Sequence, residues 1–377
     1  MLNRKLTALI AILLIVVIVL SLFLAIELLS PKTAGREFYV GVEYAYGNQV
    51  SEVQQLVDKV KNYTNLFVMG SVNLTFNQAA LDEASDYIVN AKLKLIVLFT
   101  GSDQYNYSIF DWMTAAKLKY GDSFLGVYRY DEPGGNQLDN GTFRIIKAGS
   151  DYVDVAENYT NSLKNIFVDF YLHYTPRMFT ADYGLYWFDY KADYTTVFAE
   201  FVGNESRQRH IALCRGAAEA FHKDWGTIIT WKYDNGTYLE SGDELYTDLS
   251  LAYAAGSKYA VVFSYPNITA YGTLTDRHFE ALQKFWNNMH SNPGSFGSSP
   301  PQAAYVVPKD YGFGFRSAND TIWGLFNATD LSAKIFNDTN TLIAKYDTGL
   351  DILYDEPEIV PLLANYSQVY FWNQTIT

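Results

Sequence analysis

Between Glu37 and His290 the chain alternates short, nearly continuous apolar runs with longer segments whose apolar residues recur every three or four positions. The runs are rich in branched and aromatic residues and predict strands; the spaced segments predict amphipathic helices. FYVGVEYAYG (Phe38 to Gly47) is the first predicted strand, with Val50 to Tyr63 as its helix. LFVMG (Leu66 to Gly70) precedes helix Asn77 to Ala91, and LKLIVLFTG (Leu93 to Gly101) precedes helix Ile109 to Tyr120. The fourth run, FLGVYRY from Phe124, precedes a helix from Asp154 to Tyr174 that Pro176 ends. YGLYWFDY (Tyr183 to Tyr190) and TTVFAEF (Thr195 to Phe201) are the fifth and sixth predicted strands. Helix Arg207 to Lys223, strand GTIITWKY (Gly226 to Tyr233), helix Glu240 to Gly256, strand YAVVFSYP (Tyr259 to Pro266) and helix Asp276 to His290 complete the series. Eight strands separated by helices over about 255 residues predict an α/β chain whose residues 37–291 form a (β/α)8 TIM barrel. The link between the fifth and sixth predicted strands is too short for a full helix, so the barrel is expected to be irregular there.

The same pattern sets the ends. Leu6 to Leu29 is an apolar run of over twenty residues after Arg4 and Lys5. It is long enough for a hydrocarbon core of about 30 Å and lacks a small-residue cleavage site, so residues 1–36 read as a cytoplasmic stub, one transmembrane signal anchor and a short linker. The positive-inside rule then places the rest of the chain outside the cell. NPGSFGSSPP, residues 292–301, reads as a Gly/Ser/Pro linker. Residues 302–377 read as a small α/β domain, with strands Ala303 to Pro308, Leu350 to Pro357 and Gln368 to Asn373, a helix near Leu331 to Tyr346 and a short one near Val360 to Ala364.

Composition adds three points. Lys and Arg number 28 against 41 Asp and Glu, a formal charge of -13, which repels a phosphate backbone and argues against nucleic acid as a partner. The single cysteine, Cys214, permits no internal disulfide and reads as a small buried hydrophobe. Asn-X-Ser/Thr triplets begin at Asn62, Asn73, Asn106, Asn140, Asn158, Asn204, Asn235, Asn267, Asn319, Asn327, Asn337, Asn365 and Asn373. That is several times what the Ser and Thr content alone would produce, so these read as N-linked glycan acceptors on exposed surface. A glycosylated exterior almost without cysteine fits an archaeal cell surface.

Chemistry is expected at the carboxyl ends of barrel strands. There the predicted strands place Glu43 on the first, Asp131 and Glu132 on the fourth, Asp189 on the fifth, Glu200 on the sixth and Trp231 on the seventh. Aromatics make 16% of the chain, most of them core filling, with flat faces for sugar rings only at strand ends. An acidic, aromatic-lined mouth suits glycosidic cleavage, in which one carboxylic acid protonates the leaving oxygen and a second carboxylate attacks or activates water. Histidines show no metal-ligand spacing, and neither a Gly-x-Ser-x-Gly elbow nor a phosphate-cradling glycine loop occurs; no metal or cofactor is expected.

Asp131-Glu132-Pro133 resembles the Asn-Glu-Pro signature that ends the fourth strand in a retaining clan of TIM-barrel glycoside hydrolases, with Asp in place of Asn. The resemblance covers Phe38 to His290. It implies that Glu132 is the acid/base and that Asp131 lies near the sugar 2-hydroxyl. The clan's nucleophile is a Glu closing the seventh strand, where this chain reads Trp231, Lys232 and Tyr233. Glu200 is the substitute, Glu240 the next, and the roles of Glu132 and Glu200 could be reversed. Glu43, Asp131, Asp189 and Trp231 are expected to contact substrate. The implied function is a membrane-anchored extracellular glycoside hydrolase acting on a polysaccharide or glycan. The alternative is a non-catalytic surface glycoprotein that binds glycan or surface-layer components. A second Tyr-Asp-Glu-Pro at Tyr354 to Pro357 marks only another strand-to-loop ending.

Overall fold

Eight parallel strands close into a barrel in the computed structural model, which describes residues 36–139, 141–173, 177–233 and 237–376. The apolar run Leu6 to Leu29 lies outside the described residues; among those described, no helix is long and apolar enough to cross a membrane. From Phe38 onward the chain forms one compact unit.

The barrel strands are β1 (Tyr39–Tyr44), β2 (Leu66–Met69), β3 (Lys94–Phe99), β4 (Phe124–Arg129), β5 (Arg177–Asp182), β6 (Thr196–Phe201), β7 (Asp224–Ile229) and, after a short antiparallel hairpin of β8 (Trp231–Tyr233) and β9 (Thr237–Leu239), β10 (Tyr259–Ser264). Each pairs with its sequence neighbours, and β10 closes on β1 with Tyr39 opposite Tyr259 and Glu43 opposite Phe263. The helices the argument needs are α1 (Val50–Val60), α2 (Gln78–Asn90), α3 (Ile109–Tyr120), α4 (Pro133–Leu138), α5 (Tyr152–His173), α6 (Tyr186–Lys191), α7 (Arg207–Ala220), α8 (Gly242–Ala255) and α9 (Asp276–Ser291).

Side chains alternate across each strand, so every second residue enters the barrel. Tyr39, Leu66, Val68, Ile96, Tyr128, Phe179, Phe198, Ile228, Tyr259 and Val261 fill the interior as one cluster. Phe198 packs on Phe179 with ring centroids 5.7 Å apart, and Tyr39 stacks on Tyr259 at 5.2 Å. Much of the aromatic excess is therefore barrel filling. The opposite parity, such as Val40, Val42 and Tyr44 on β1 and Val197, Ala199 and Phe201 on β6, packs against the helix layer.

The fifth strand corrects the sequence reading. YGLYWFDY is not a strand: Tyr186–Lys191 is the helix α6, and RMFTAD, directly after Pro176, is β5. Tyr186, Trp187, Phe188, Asp189 and Tyr190 are all buried, so α6 shows no polar stripe to mark it as a helix. The short link thus disappears, because α6 itself joins β5 to β6.

Beyond α9, β11 (Ala303–Val307), α10 (Asp330–Tyr346), β12 (Leu350–Tyr354) and β13 (Gln368–Phe371) build a parallel sheet in the order β12-β11-β13. The predicted short helix near Val360 is instead two single 3₁₀ turns, Pro357–Ile359 and Leu363–Asn365. This sheet lies against α7, nearly every residue of which is buried. A Cβ at Gly216 would sit 2.5 Å from the Ile352 carbonyl oxygen, so glycine admits the β12 backbone. Glu356 of the second Tyr-Asp-Glu-Pro is held by Lys191 Nζ at 2.9 and 2.7 Å. Asn140 and Asn235 lie outside the described residues; the other eleven acceptor asparagines are all exposed.

Candidate active site

Strand parity delivers two of the candidate carboxylates. Phe198 enters the barrel core, so Glu200, two residues on, points into its mouth, and Glu43 follows Tyr39 and Gly41 inward in the same way on β1. Glu132 arrives differently. The chain leaves β4 through Tyr130 and Glu132 in left-handed conformations, with φ of 60° and 48°, and then enters α4 at Pro133. Two non-glycine residues in that region within three positions are strained backbone, which surrounding structure must hold in place.

The result is a cluster of four carboxyls. Glu43, Asp131, Glu132 and Glu200 line one small cavity of about 60 Å³ with Tyr128, Thr230, Trp231 and Phe263. The Glu132 and Glu200 carboxyls lie close enough for one to donate to the other. Glu200 Oε1 also accepts from Thr230 Oγ1 at 2.9 Å, and among the described residues no hydrogen-bonding N–H or hydroxyl reaches its Oε2. Asp131 is an exposed residue, but it accepts a hydrogen bond from the buried Tyr128 hydroxyl, which itself accepts from the Ala181 N–H at 2.9 Å.

Burial governs the protonation of this cluster. Glu132 is pushed up to about 7, first by desolvation and then by the Asp131 charge. Glu200 and Glu43 are held well above the usual carboxylate range for the same first reason, with Glu132 and Asp131 adding repulsion at Glu200 and Asp131 at Glu43. Asp131, though exposed as a residue, turns its carboxyl into the cluster, where desolvation raises it and the Tyr128 hydroxyl partly relieves it. Two carboxyls in hydrogen-bond contact share one proton, so the pair presents one acid and one carboxylate.

Next to this cluster opens a cleft of about 530 Å³, lined by Glu132, Glu200, Tyr183, Trp231, His210 and Arg316 among others. Trp231 sits on β8 and packs beside Phe263 and Tyr265, with centroids 5.6 and 6.0 Å away. His210, 4% exposed, binds Tyr186 Oη through Nδ1 at 2.8 Å. Burial, reinforced by Arg209 and Arg207, pushes it down to about 3, so this wall is an uncharged imidazole. Arg316 comes from the segment after β11. It makes hydrogen bonds to Asp320 at 2.9 and 2.8 Å and bonds Asp139, which also accepts from Tyr183 Oη at 2.6 Å.

The structure therefore brings together Glu132, Glu200, Asp131, Glu43 and Trp231, and it removes two other candidates. Asp189 is not a strand end; it is fully buried on α6, bonded to Tyr159 Oη at 2.9 Å and to the Asp182 carboxyl. Glu240 lines a separate cavity of about 560 Å³ with Arg207, whose Nη2 is 3.3 Å away, and Asp248. Where the resemblance implied a Glu closing the seventh strand, β7 ends at Ile229 and Thr230 follows as a hydrogen-bond donor to Glu200.

No protein-family model and no curated protein matches the sequence. Solved structures do resemble the fold. The GH5_18 protein from Bifidobacterium longum subsp. longum, solved in complex with Manβ1-4GlcNAc, matches with a TM-score of 0.50 at 10% identity, covering 90% of this chain and 97% of that one. The α-L-fucosidase isoenzyme 2 from Paenibacillus thiaminolyticus matches with a TM-score of 0.53 at 10% identity, covering 88% of this chain and 59% of that one. The fold these structures share with this chain is the (β/α)8 barrel. In it the Asp131-Glu132-Pro133 triplet follows β4 after Tyr130. Thr230, Tyr128, Asp182 and Arg316 are contributors that the sequence reading missed. Only Asp182 had a signal available, as the last residue of a strand that begins right after Pro176.

These raised carboxyls carry a stability prediction. A group whose folded pKa exceeds its unfolded value near 4 stabilises the fold fully below that value and loses the contribution as pH climbs through the folded pKa. Asp182 is raised to about 6, Glu132 to about 7 and Glu240 to about 8, all chiefly by burial. Glu244 is lowered to about 2 by Lys232 and acts only in stronger acid. Thermal unfolding should therefore show a midpoint lower by about 5 °C or more at pH 8 than at pH 5. A midpoint that rises over this interval would contradict the protonated carboxyl pairs.

Proposed function

We propose that the protein hydrolyses glycosidic bonds of a polysaccharide or glycan, with Glu132 and Glu200 as the reacting carboxyls. The observation that carries this reading is their convergence on one small cavity at the mouth of a closed barrel, beside an aromatic-lined cleft. A cavity of about 60 Å³ that both carboxyls line leaves little room for the intervening water of an inverting pair, which stands about 6.5–9.5 Å apart, and favours retention, whose pair stands about 5–5.5 Å apart. In the resting pair the proton lies on Glu200, the more strongly raised of the two. With substrate bound it would pass to Glu132, which gives it to the glycosidic oxygen as the bond to the anomeric carbon breaks, while the Glu200 carboxylate left behind attacks that carbon. Water, losing a proton to Glu132, would then displace Glu200 and release the sugar. Asp131 raises the pKa of both members of the reacting pair and of Glu43, and Trp231 offers a face for a sugar ring.

Display outside the cell through the apolar run Leu6 to Leu29, with N-glycans on the acceptor asparagines, belongs to the same reading. The exposure of the eleven described acceptors supports it. The test is a panel of neutral β-linked and α-linked polysaccharides incubated with the purified protein, with new reducing ends as the readout. Release from at least one is expected, and none from any would set the reading aside.

A further inference from the structure

Asp182 ends β5 with the parity that turns away from the barrel interior, since Phe179 and Ala181 take the inward positions. Its carboxyl is fully buried beneath the turn that carries Glu132. Oδ2 accepts the Gly134 N–H at 2.6 Å, and Oδ1 accepts those of Gly135 at 2.9 Å, Tyr183 at 2.8 Å and Gly184 at 3.3 Å. A Cβ at Gly134 would lie 2.4 Å from Oδ2, so this approach requires glycine. Glu132 is in turn tied to β5 through its own N–H, which donates to the Ala181 carbonyl at 3.1 Å.

Behind Asp182 stands Asp189 of α6, also fully buried. Its Oδ1 accepts from Tyr159 Oη of α5 at 2.9 Å, its Oδ2 has no N–H or hydroxyl partner among the described residues, and the Asp182 carboxyl lies within reach of the side chain. Two buried carboxyls in contact need a proton between them, and an Asp182 already accepting four N–H groups is the acceptor of that hydrogen bond.

We infer that Asp182 and Asp189 are positioning residues for Glu132: Tyr159 orients Asp189, the Asp189 carboxylic acid donates to Asp182, and Asp182 pins the left-handed turn that aims Glu132 at Glu200. The inference rests on the carboxyl-pair reading for its catalytic meaning, while the anchor itself can be read without activity. The strained φ values at Tyr130 and Glu132 are what such an anchor has to hold.

Hydrogen–deuterium exchange of the full-length protein over residues 133–138, compared with kcat, KM and the pH profile, tests it. Asp189→Asn keeps a donor toward Asp182 and an acceptor for Tyr159, so exchange and kcat should stay within about threefold of the wild type. Asp189→Leu removes the donor; exchange at 133–138 should rise about tenfold or more while the rest of the barrel is unchanged. Its kcat should fall by a similar factor with KM unmoved. Asp182→Asn offers one oxygen to four N–H groups and should behave as Asp189→Leu. It should also shift the pH profile, because the Asp182 charge that raises Glu132 is gone. Exchange like wild type in Asp189→Leu, exchange that rises uniformly over the barrel, or an Asn variant as impaired as the Leu variant would each overturn the inference. Exchange as expected in a wild type that cleaves no glycan would leave the anchor standing and count against the carboxyl-pair reading instead.

Discussion

Replacing Glu132 by Gln is expected to lower kcat on an unactivated glycan by about 10²- to 10⁴-fold while leaving KM within a few-fold, because positioned proton transfer contributes that much and the amide keeps the side chain's shape. Glu132 is also the member of the pair whose value, about 7, lies where a group can both give and take a proton at neutral pH. A substrate with a good leaving group, such as a nitrophenyl glycoside, needs no protonation. The Gln variant should recover most of the first step on it, which separates loss of the acid from general damage. Equal turnover by Glu132→Gln and the wild type on the unactivated glycan would remove Glu132 from the mechanism.

The largest expected effect on stability lies away from the mouth, at Arg215. Its guanidinium is 2% exposed on α7 and pairs through Nε with Asp351 Oδ1 of β12 at 2.8 Å, where Asp351 is 0% exposed. The same group donates to the carbonyls of Ala255, Ser299, Thr348 and Leu350 at 3.0, 3.3, 2.6 and 3.1 Å. One side chain thus joins a barrel helix, the start of the C-terminal sheet and the stretch that leads to it. Arg215→Met would leave Asp351 buried with the Tyr366 hydroxyl, at 2.8 Å, as its remaining partner among those described. Breaking a buried pair in this way costs about 3–5 kcal/mol, to be read from urea unfolding. Adding Asp351→Leu should return part of that loss, since the uncompensated charge is then removed. A single-variant loss below about 1 kcal/mol would mean that the pair does not hold the sheet to α7.

The barrel was legible because its strands are short apolar runs that no amphipathic helix imitates, and seven of eight were read in place. The exception has a physical cause. RMFTAD begins and ends on a charged residue, and α6 behind it is four aromatics with only Asp189 and Lys191 between and after them, so the two exchanged their usual signatures. That exchange moved Asp189 to a strand end in the reading and hid Asp182, whose role depends on belonging to β5. Glu132 and Glu200 were legible from strand ends and parity. Their mutual contact was not, because it depends on the left-handed turn at Glu132 and on Thr230. Arg316 reaches the cleft from over a hundred residues away in sequence, through a segment with no motif of its own.

The account turns on Glu132 and Glu200 acting as one acid and one carboxylate at contact distance. The most direct test is ¹H NMR of the first product formed from a glycan that the wild type cleaves, before mutarotation, with Glu200→Gln in parallel. The predicted result is a product with the anomeric configuration of the substrate from the wild type and loss of turnover in Glu200→Gln. An inverted first product, or undiminished turnover by Glu200→Gln, would contradict it.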